Sequence, residues 1–150
     1  MRAVVTRVSS ASVAIDGAVA GSIGRGFLIL LGVGPGDTPQ HSRKLAEKIL
    51  GLRVFEDDAG KMNLGLSDVG GSVLVISQFT LYGDCRKGRR PNFMGAAPPD
   101  LANSLYEVFL QDCTDLGFPP QHGDFGAYML VESVNDGPVT LILDTDELMK

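Results

Sequence analysis

The run Phe27-Leu28-Ile29-Leu30-Leu31-Gly32-Val33 has no polar alternation, so a strand built from it must be covered on both faces. The cluster Gly34-Pro35-Gly36 closes it. The run is far shorter than the roughly 20 residues that cross a bilayer, so it belongs to a protein core. What precedes it is antiparallel in character. Arg2 to Val8 and Ser12 to Ile15 are rich in β-branched residues, and Asp16-Gly17 supplies a two-residue turn that returns the chain through Ala18 to Ile23.

After the buried run, Thr38 is placed as an N-cap and Pro39 as the first helical residue. The helix to about Leu50 puts Leu45, Ala46, Ile49 and Leu50 on one stripe, with Gly51 to stop it. A short strand is expected at Leu52 to Phe55 and a central strand at Ser72 to Leu81. A second helix starts near Pro98-Pro99-Asp100 and spaces Leu101, Leu105, Val108, Phe109, Cys113 and Leu116 helically before Gly117. Tyr128 to Ser133 and Val139 to Leu143 are read as closing strands joined by the turn Asn135-Asp136-Gly137-Pro138. Hairpin order with two helices points to an α+β domain with a curled, largely antiparallel sheet.

At 150 residues, 44% hydrophobic and 21% charged, the chain suits one domain over residues 1–150 with a substantial core. No transmembrane or leader pattern is expected, and a cytoplasmic location follows. Two cysteines, Cys85 and Cys113, form neither a disulfide framework nor a zinc knuckle. A net charge of −5 excludes broad coating of nucleic acid, which needs a basic surface to displace counterions, so any RNA contact must be local.

Gly32-Val33-Gly34-Pro35-Gly36-Asp37 resembles a dinucleotide fingerprint only superficially. Asp37 stands where a third glycine is required, putting negative charge at the pyrophosphate position, and Pro35 removes an amide. A plain turn is the better reading, and no cofactor is expected. His41 in a first helical turn and His122 in a Pro-rich loop invite a triad with Ser77, but read better as solvated residues. No metal site is expected.

Three segments hold more chemistry. Arg86-Lys87-Gly88-Arg89-Arg90 places four cations in five residues of an acidic chain, either a solvated loop or a phosphate contact. Ser77-Gln78-Phe79-Thr80-Leu81 turns polar in a strand that begins Val73-Leu74-Val75-Ile76, so it lines a cavity or turns toward solvent. Asn135-Asp136-Gly137-Pro138-Val139-Thr140 is a turn on its face, yet a Gly-Pro bond adopts cis more readily than other bonds and could aim two carbonyls at a ligand.

Together the last two segments resemble the signature motifs of the D-aminoacyl-tRNA deacylase family. Met1-Arg2-Ala3-Val4-Val5, Gly51-Leu52-Arg53-Val54-Phe55-Glu56-Asp57, Lys61-Met62-Asn63-Leu64, Arg86-Lys87-Gly88 with Arg90-Pro91, and Gly126-Ala127-Tyr128-Met129 resemble family segments in the same order. The resemblance runs from the first residue to about Asp144. It implies a barrel-like sheet and a homodimer acting on aminoacyl-tRNA without membrane attachment. Gly137-Pro138 of one subunit would enter the other subunit's pocket. Ser77, Gln78, Phe79 and Thr80 would form the pocket floor, with Phe125 and Met129 nearby and Arg7 supporting the Gly-Pro loop.

The implied reaction is hydrolysis of a D-aminoacyl ester, with L-esters excluded and glycyl esters admitted. Main-chain amides around Phe79 and Thr80 are candidate oxyanion donors, and the substrate's 2′-hydroxyl is favoured over Thr80 as the participating hydroxyl. Arg86, Lys87, Arg89 and Arg90 would contact the tRNA. Asn92 stands where the family often has Ser, and Gly83 where Ala is usual. Competing readings are a hydrolase of small D-amino-acid esters or peptides and a non-catalytic nucleic-acid-binding module.

Overall fold

The computed structural model describes residues 1–150. Its first strand, β1 (Arg2–Ile15), is continuous where two pieces were expected. Asp16 and Gly17 both adopt positive φ, 51° and 79°, the combination that matches the twist of a two-residue hairpin, and β2 (Ala18–Ile23) pairs back from Ile15↔Ala18. Strand β3 (Gly26–Gly32) then runs antiparallel to the first half of β1, from Arg2↔Gly32 to Val8↔Gly26. The apolar run is covered on both faces as its composition requires. Phe27, Ile29 and Leu31 enter the main core of 23 buried residues, and Leu28 enters a second cluster with Val8, Val13, Leu74 and Ile76.

Helix α1 (Pro39–Leu50) is followed by the small hairpin β4 (Phe55–Glu56) and β5 (Met62–Leu64), and by the single turn α2 (Leu66–Val69). The strand expected at Leu52 to Phe55 is therefore displaced toward the acidic turn, with Phe55 buried beneath it. Strand β6 (Ser72–Ser77) lies parallel to β3, and β7 (Gln121–His122) is parallel to β6. The antiparallel part of the sheet is the set built on β1. Helix α3 (Pro99–Asp115) separates β6 from β7 in sequence, and β8 (Leu130–Asp144) precedes the short α4 (Thr145–Leu148).

Two helices were expected and four form, the additional pair being single turns. Their four residues each hold too little periodic pattern to be read from sequence. Helix α1 has 12 residues, marginal length for a helix alone in water. Burial holds it in place: Leu45, Ala46 and Ile49 are fully enclosed against α3 residues such as Phe109 and Cys113. A fully buried side chain of this size contributes about 1.5–3 kcal/mol, well above any propensity difference. Burial, then Asp112, push the Cys113 thiol up to about 12, so it behaves as a small core residue.

The sheet curls because β1 is shared along its length. One edge carries β8 throughout, while the opposite edge carries β3 on the first half and β2 on the second. Curvature brings β7 against β2, where a Cβ at Gly21 would stand 3.0 Å from the His122 carbonyl oxygen. The sheet is thus nearly closed, with α1 and α3 on one side.

Asp37 has a structural task that accounts for a carboxylate in the glycine-rich turn. Its Oδ1 accepts from the Met1 ammonium at 2.7 Å, and its Oδ2 accepts from the Gly34 amide at 2.6 Å. The same ammonium donates to Thr145 Oγ1 at 2.7 Å, joining β1, the turn after β3 and α4. Neither histidine joins a triad. His41 Nδ1 accepts from the Thr38 amide at 3.0 Å, and the His122 ring bonds the Gly123 carbonyl at 2.7 Å.

Candidate active site

Strand β6 was expected to continue to Leu81, but it stops at Ser77 and the chain tightens into a 3-10 turn over Phe79–Tyr82. The cause is its neighbour. Strand β3 ends at Gly32, so after Gln78 N donates to Leu31 O at 2.7 Å no partner remains. Leu81 N then donates to Gln78 O at 3.2 Å, and Gly83 N to Thr80 O at 2.9 Å. Gly32 and Gly34 make room for this turn. A Cβ at Gly32 would lie 3.1 Å from Gln78 O and one at Gly34 3.1 Å from the Tyr82 hydroxyl. Those glycines serve close packing of the turn rather than a nucleotide.

The turn lifts Ser77, Gln78 and Phe79 onto the wall of a cavity of about 540 Å³. Phe125, Tyr128 and Met129 form another wall, with Ala97 just before α3 and Ala102 in its first turn also lining the cavity. Tyr106, one turn further along α3, donates its hydroxyl to Val75 O at 3.0 Å and stands 6.2 Å, centroid to centroid, from Phe125. It ties the strand before Ser77 to the opposite wall. Burial raises its pKa, with Glu107 and Asp124 adding to the shift, so it is a neutral donor at physiological pH.

Not every expected site residue reaches this cavity. Ser77, Gln78, Phe79, Phe125 and Met129 do, whereas Thr80, Arg7, Gly137 and Pro138 are absent from its lining. Thr80 Oγ1 accepts from Gln78 Nε2, which fixes the amide beside the cavity. Sequence reasoning missed Phe93, Ala97, Ala102 and Tyr128 as lining residues. Phe93 had a positional clue in following the basic run; the two alanines had none, since their contribution is the space that they leave.

Gly137 and Pro138 sit on an excursion rather than in a hairpin turn. Between Thr6↔Thr140 and Val8↔Asn135, β1 advances two positions and β8 five, so residues 136–139 bulge outward over Arg7. Asn135 closes the bulge, its Oδ1 accepting from Val139 N at 3.2 Å and its Nδ2 donating to Thr140 Oγ1 at 3.1 Å. The Gly137–Pro138 peptide bond is cis. Arg7 is only 5% exposed and donates from Nε to Asp136 O at 3.0 Å and from Nη1 to Val54 O at 2.7 Å.

The sequence profile described as D-Tyr-tRNA(Tyr) deacylase matches residues 4–144, a span that takes in both the cavity and the bulge. The chain belongs to that family. A protein of Desulfatibacillum aliphaticivorans named D-aminoacyl-tRNA deacylase is 60% identical over 145 residues, covering 97% of this chain and 99% of that protein. One of the same name from Thermosipho africanus is 53% identical over 148 residues, covering 99% of each. Among solved structures, the "c-Myc DNA Unwinding Element Binding Protein" superposes with TM-score 0.90 at 42% identity, covering 96% of this chain and 98% of that one. The structure reported as "Structural Analysis of a probable eukaryotic D-amino acid tRNA deacylase" shares the fold, with TM-score 0.83 at 16% identity over 95% of this chain and 97% of that one.

In this D-Tyr-tRNA(Tyr) deacylase fold Arg7 is a buried cation whose fork bridges two separate carbonyls. Arg7→Lys offers a single ammonium that cannot span them and strands one acceptor, at about 1–3 kcal/mol. A matching drop in the free energy of urea unfolding is expected, and an unchanged midpoint would mean that the bulge does not rely on the fork. The four cations expected to meet tRNA, Arg86, Lys87, Arg89 and Arg90, lie on an exposed loop closed by the antiparallel bridge Asp84↔Asn92. No helix of the fold is long and apolar enough to cross a membrane.

Proposed function

We propose that this chain hydrolyses the ester between a D-amino acid and the 3′ end of tRNA in the cytoplasm, accepts glycyl-tRNA, and spares L-aminoacyl-tRNA. The observation that carries this reading is the polar motif Ser77-Gln78-Phe79 lifted onto a cavity of about 540 Å³ in a member of the deacylase family. An aminoacyl ester is already activated, so orientation and oxyanion donors can suffice without a strong base. The amides of Phe79 and Thr80 open the 3-10 turn, where main-chain donors lack partners within the turn itself, and they supply the oxyanion site. Thr80 is engaged by Gln78, and the substrate's 2′-hydroxyl takes part instead.

The working unit is a homodimer in which Gly137 and Pro138 of one subunit enter the partner's cavity and hold the substrate amine by their carbonyls. Two features support it. Gly137-Pro138 does not line the cavity of its own subunit, and the same strand exposes apolar residues, Leu130 at 61%, Val134 at 57% and Ile142 at 76%. Exposed apolar surface concentrated on one strand marks an association face. The basic loop that carries Arg86, Lys87, Arg89 and Arg90 meets the tRNA backbone.

Deacylation of D-tyrosyl-, L-tyrosyl- and glycyl-tRNA, measured side by side, tests the reading: the D and glycyl esters are cleaved and the L ester persists. Inertness toward all three would leave the rival readings, a binding module or an unrelated hydrolase. One solved relative is named for binding DNA, but the net charge of −5 here gives no broad basic face to favour that role. Thr80→Ala is expected to retain deacylation within about tenfold, the range of a supporting hydrogen bond. Loss of turnover with tRNA binding and fold intact would place the Thr80 hydroxyl in the chemistry.

A further inference from the structure

The four cations of the basic loop do not have equal freedom. Arg86 is held by Asp84 in a bidentate pair, Nε to Oδ1 at 2.9 Å and Nη2 to Oδ2 at 2.8 Å, and the Arg86 amide donates to the same Oδ1 at 3.0 Å. That pairing, first through the side chain and then through the amide, holds the Asp84 carboxyl below its ordinary range. The carboxylate is thereby neutralised where it would repel an anion. A polar cleft of about 350 Å³ lies here, lined by Asp84, Arg86, Lys87, Arg90 and Asn92 with no apolar residue. Neither Lys87 nor Arg90 has an ion-pair partner, and Arg89 does not line the cleft.

The cleft and the cavity adjoin through the chain itself. Asn92 lines the cleft and Phe93, the next residue, lines the cavity. Asn92 is fixed at this junction by two main-chain bonds with Asp84, at 2.7 and 2.9 Å, and its Oδ1 accepts from Met94 N at 2.8 Å. Phe93 meets Phe79 edge to face at 5.3 Å, and Gly83 leaves room for its ring, since a Cβ there would lie 3.0 Å from Phe93 Cε1. The departures Asn92 and Gly83 thus sit at the seam between the two sites.

Resting on the deacylase reading of the cavity, we propose that Lys87 and Arg90 form a clamp for one phosphate of the single-stranded 3′ end, next to the terminal nucleoside, with Arg86 a positioning residue that silences Asp84. A guanidinium fork and an ammonium on a cleft lined only by polar and charged residues, with no aromatic ring for a base to stack on, suit a phosphate. Adjacency to the cavity assigns the phosphate to the single strand rather than to the stem.

The test compares kcat/KM for D-tyrosyl-adenosine, a D-tyrosylated 3′ trinucleotide and full-length D-tyrosyl-tRNA in the wild type and in Lys87→Ala/Arg90→Ala. The preference for the trinucleotide over the adenosine ester is expected to fall at least tenfold in the double variant, through KM. The slope of log kcat/KM against log salt should shrink by about 0.7, the value for one phosphate of a single strand. A deficit confined to full-length tRNA would assign the cations to the stem and overturn the clamp, and a slope change near twice that size would assign them to separate phosphates.

A second pair of variants tests Arg86. Arg86→Gln exposes the Asp84 carboxylate and is expected to lose the trinucleotide preference, while Asp84→Asn/Arg86→Gln recovers it. A double variant as impaired as the single one would make Arg86 a direct ligand, against the proposal. Wild-type inertness toward every D-ester would instead overturn the deacylase reading, so the two failures are distinguishable.

Discussion

Gly137→Ala is expected to lower D-tyrosyl-tRNA deacylation by roughly 100-fold while leaving the chain folded, the scale of loss that follows a 1 Å misplacement of a positioning group. Gly137 has φ of +130°, a region that L side chains rarely adopt. An added Cβ would stand 2.9 Å from Arg7 Nη2, 2.9 Å from Val139 Cγ2 and 3.1 Å from Val139 N. None of these neighbours can yield at low cost. Arg7 is pinned by its two carbonyls, and Val139 N is main chain held by Asn135.

The bulge must therefore shift, with a strain cost of about 1–3 kcal/mol that leaves the fold intact. Rates on D- and L-tyrosyl-tRNA, taken with a denaturation curve, separate the outcomes. A changed D-to-L ratio ties the bulge to chiral selection. A destabilised protein with wild-type rates and ratio would disconnect it from the reaction.

Asp37→Ala is expected to destabilise the fold by about 3–5 kcal/mol, the range for leaving one partner of a buried ion pair without the other. The Met1 side chain is fully buried and that of Asp37 is 8% exposed, so solvent screens their 2.7 Å contact little. Removing the carboxylate also deprives the Gly34 amide of its 2.6 Å acceptor. At about 2–4 °C per kcal/mol for a chain of this size, thermal unfolding should begin near 10 °C lower. Asp37→Asn, which keeps an acceptor, should fall between wild type and Ala. Equal melting of all three would show that Thr145 alone satisfies the ammonium.

Local patterns in the chain determined the apolar strand β3, the Asp16-Gly17 hairpin turn and both long helices, because each rests on interactions within a few residues: periodicity, caps and turn conformations. The polar change at Ser77 and the oddity of Asp37 in a glycine-rich turn were also visible there. Their meaning was not. That β6 ends at Ser77 depends on where β3 stops, and the role of Asp37 depends on a terminus 36 positions away.

The segment around Gly137 illustrates the same limit. Asn135-Asp136-Gly137-Pro138 has turn composition, and only the pairing of both halves of β8 with one long β1 converts the turn into a bulge. The basic run looked uniform, yet the Asp84 pairing divides it into a fixed arginine and free cations. Sequence determined the elements and the chemical groups, since those follow from near neighbours. Tertiary structure alone decided which groups share a cavity and which are consumed by partners, since hydrogen bonds and burial form between residues that no local pattern joins.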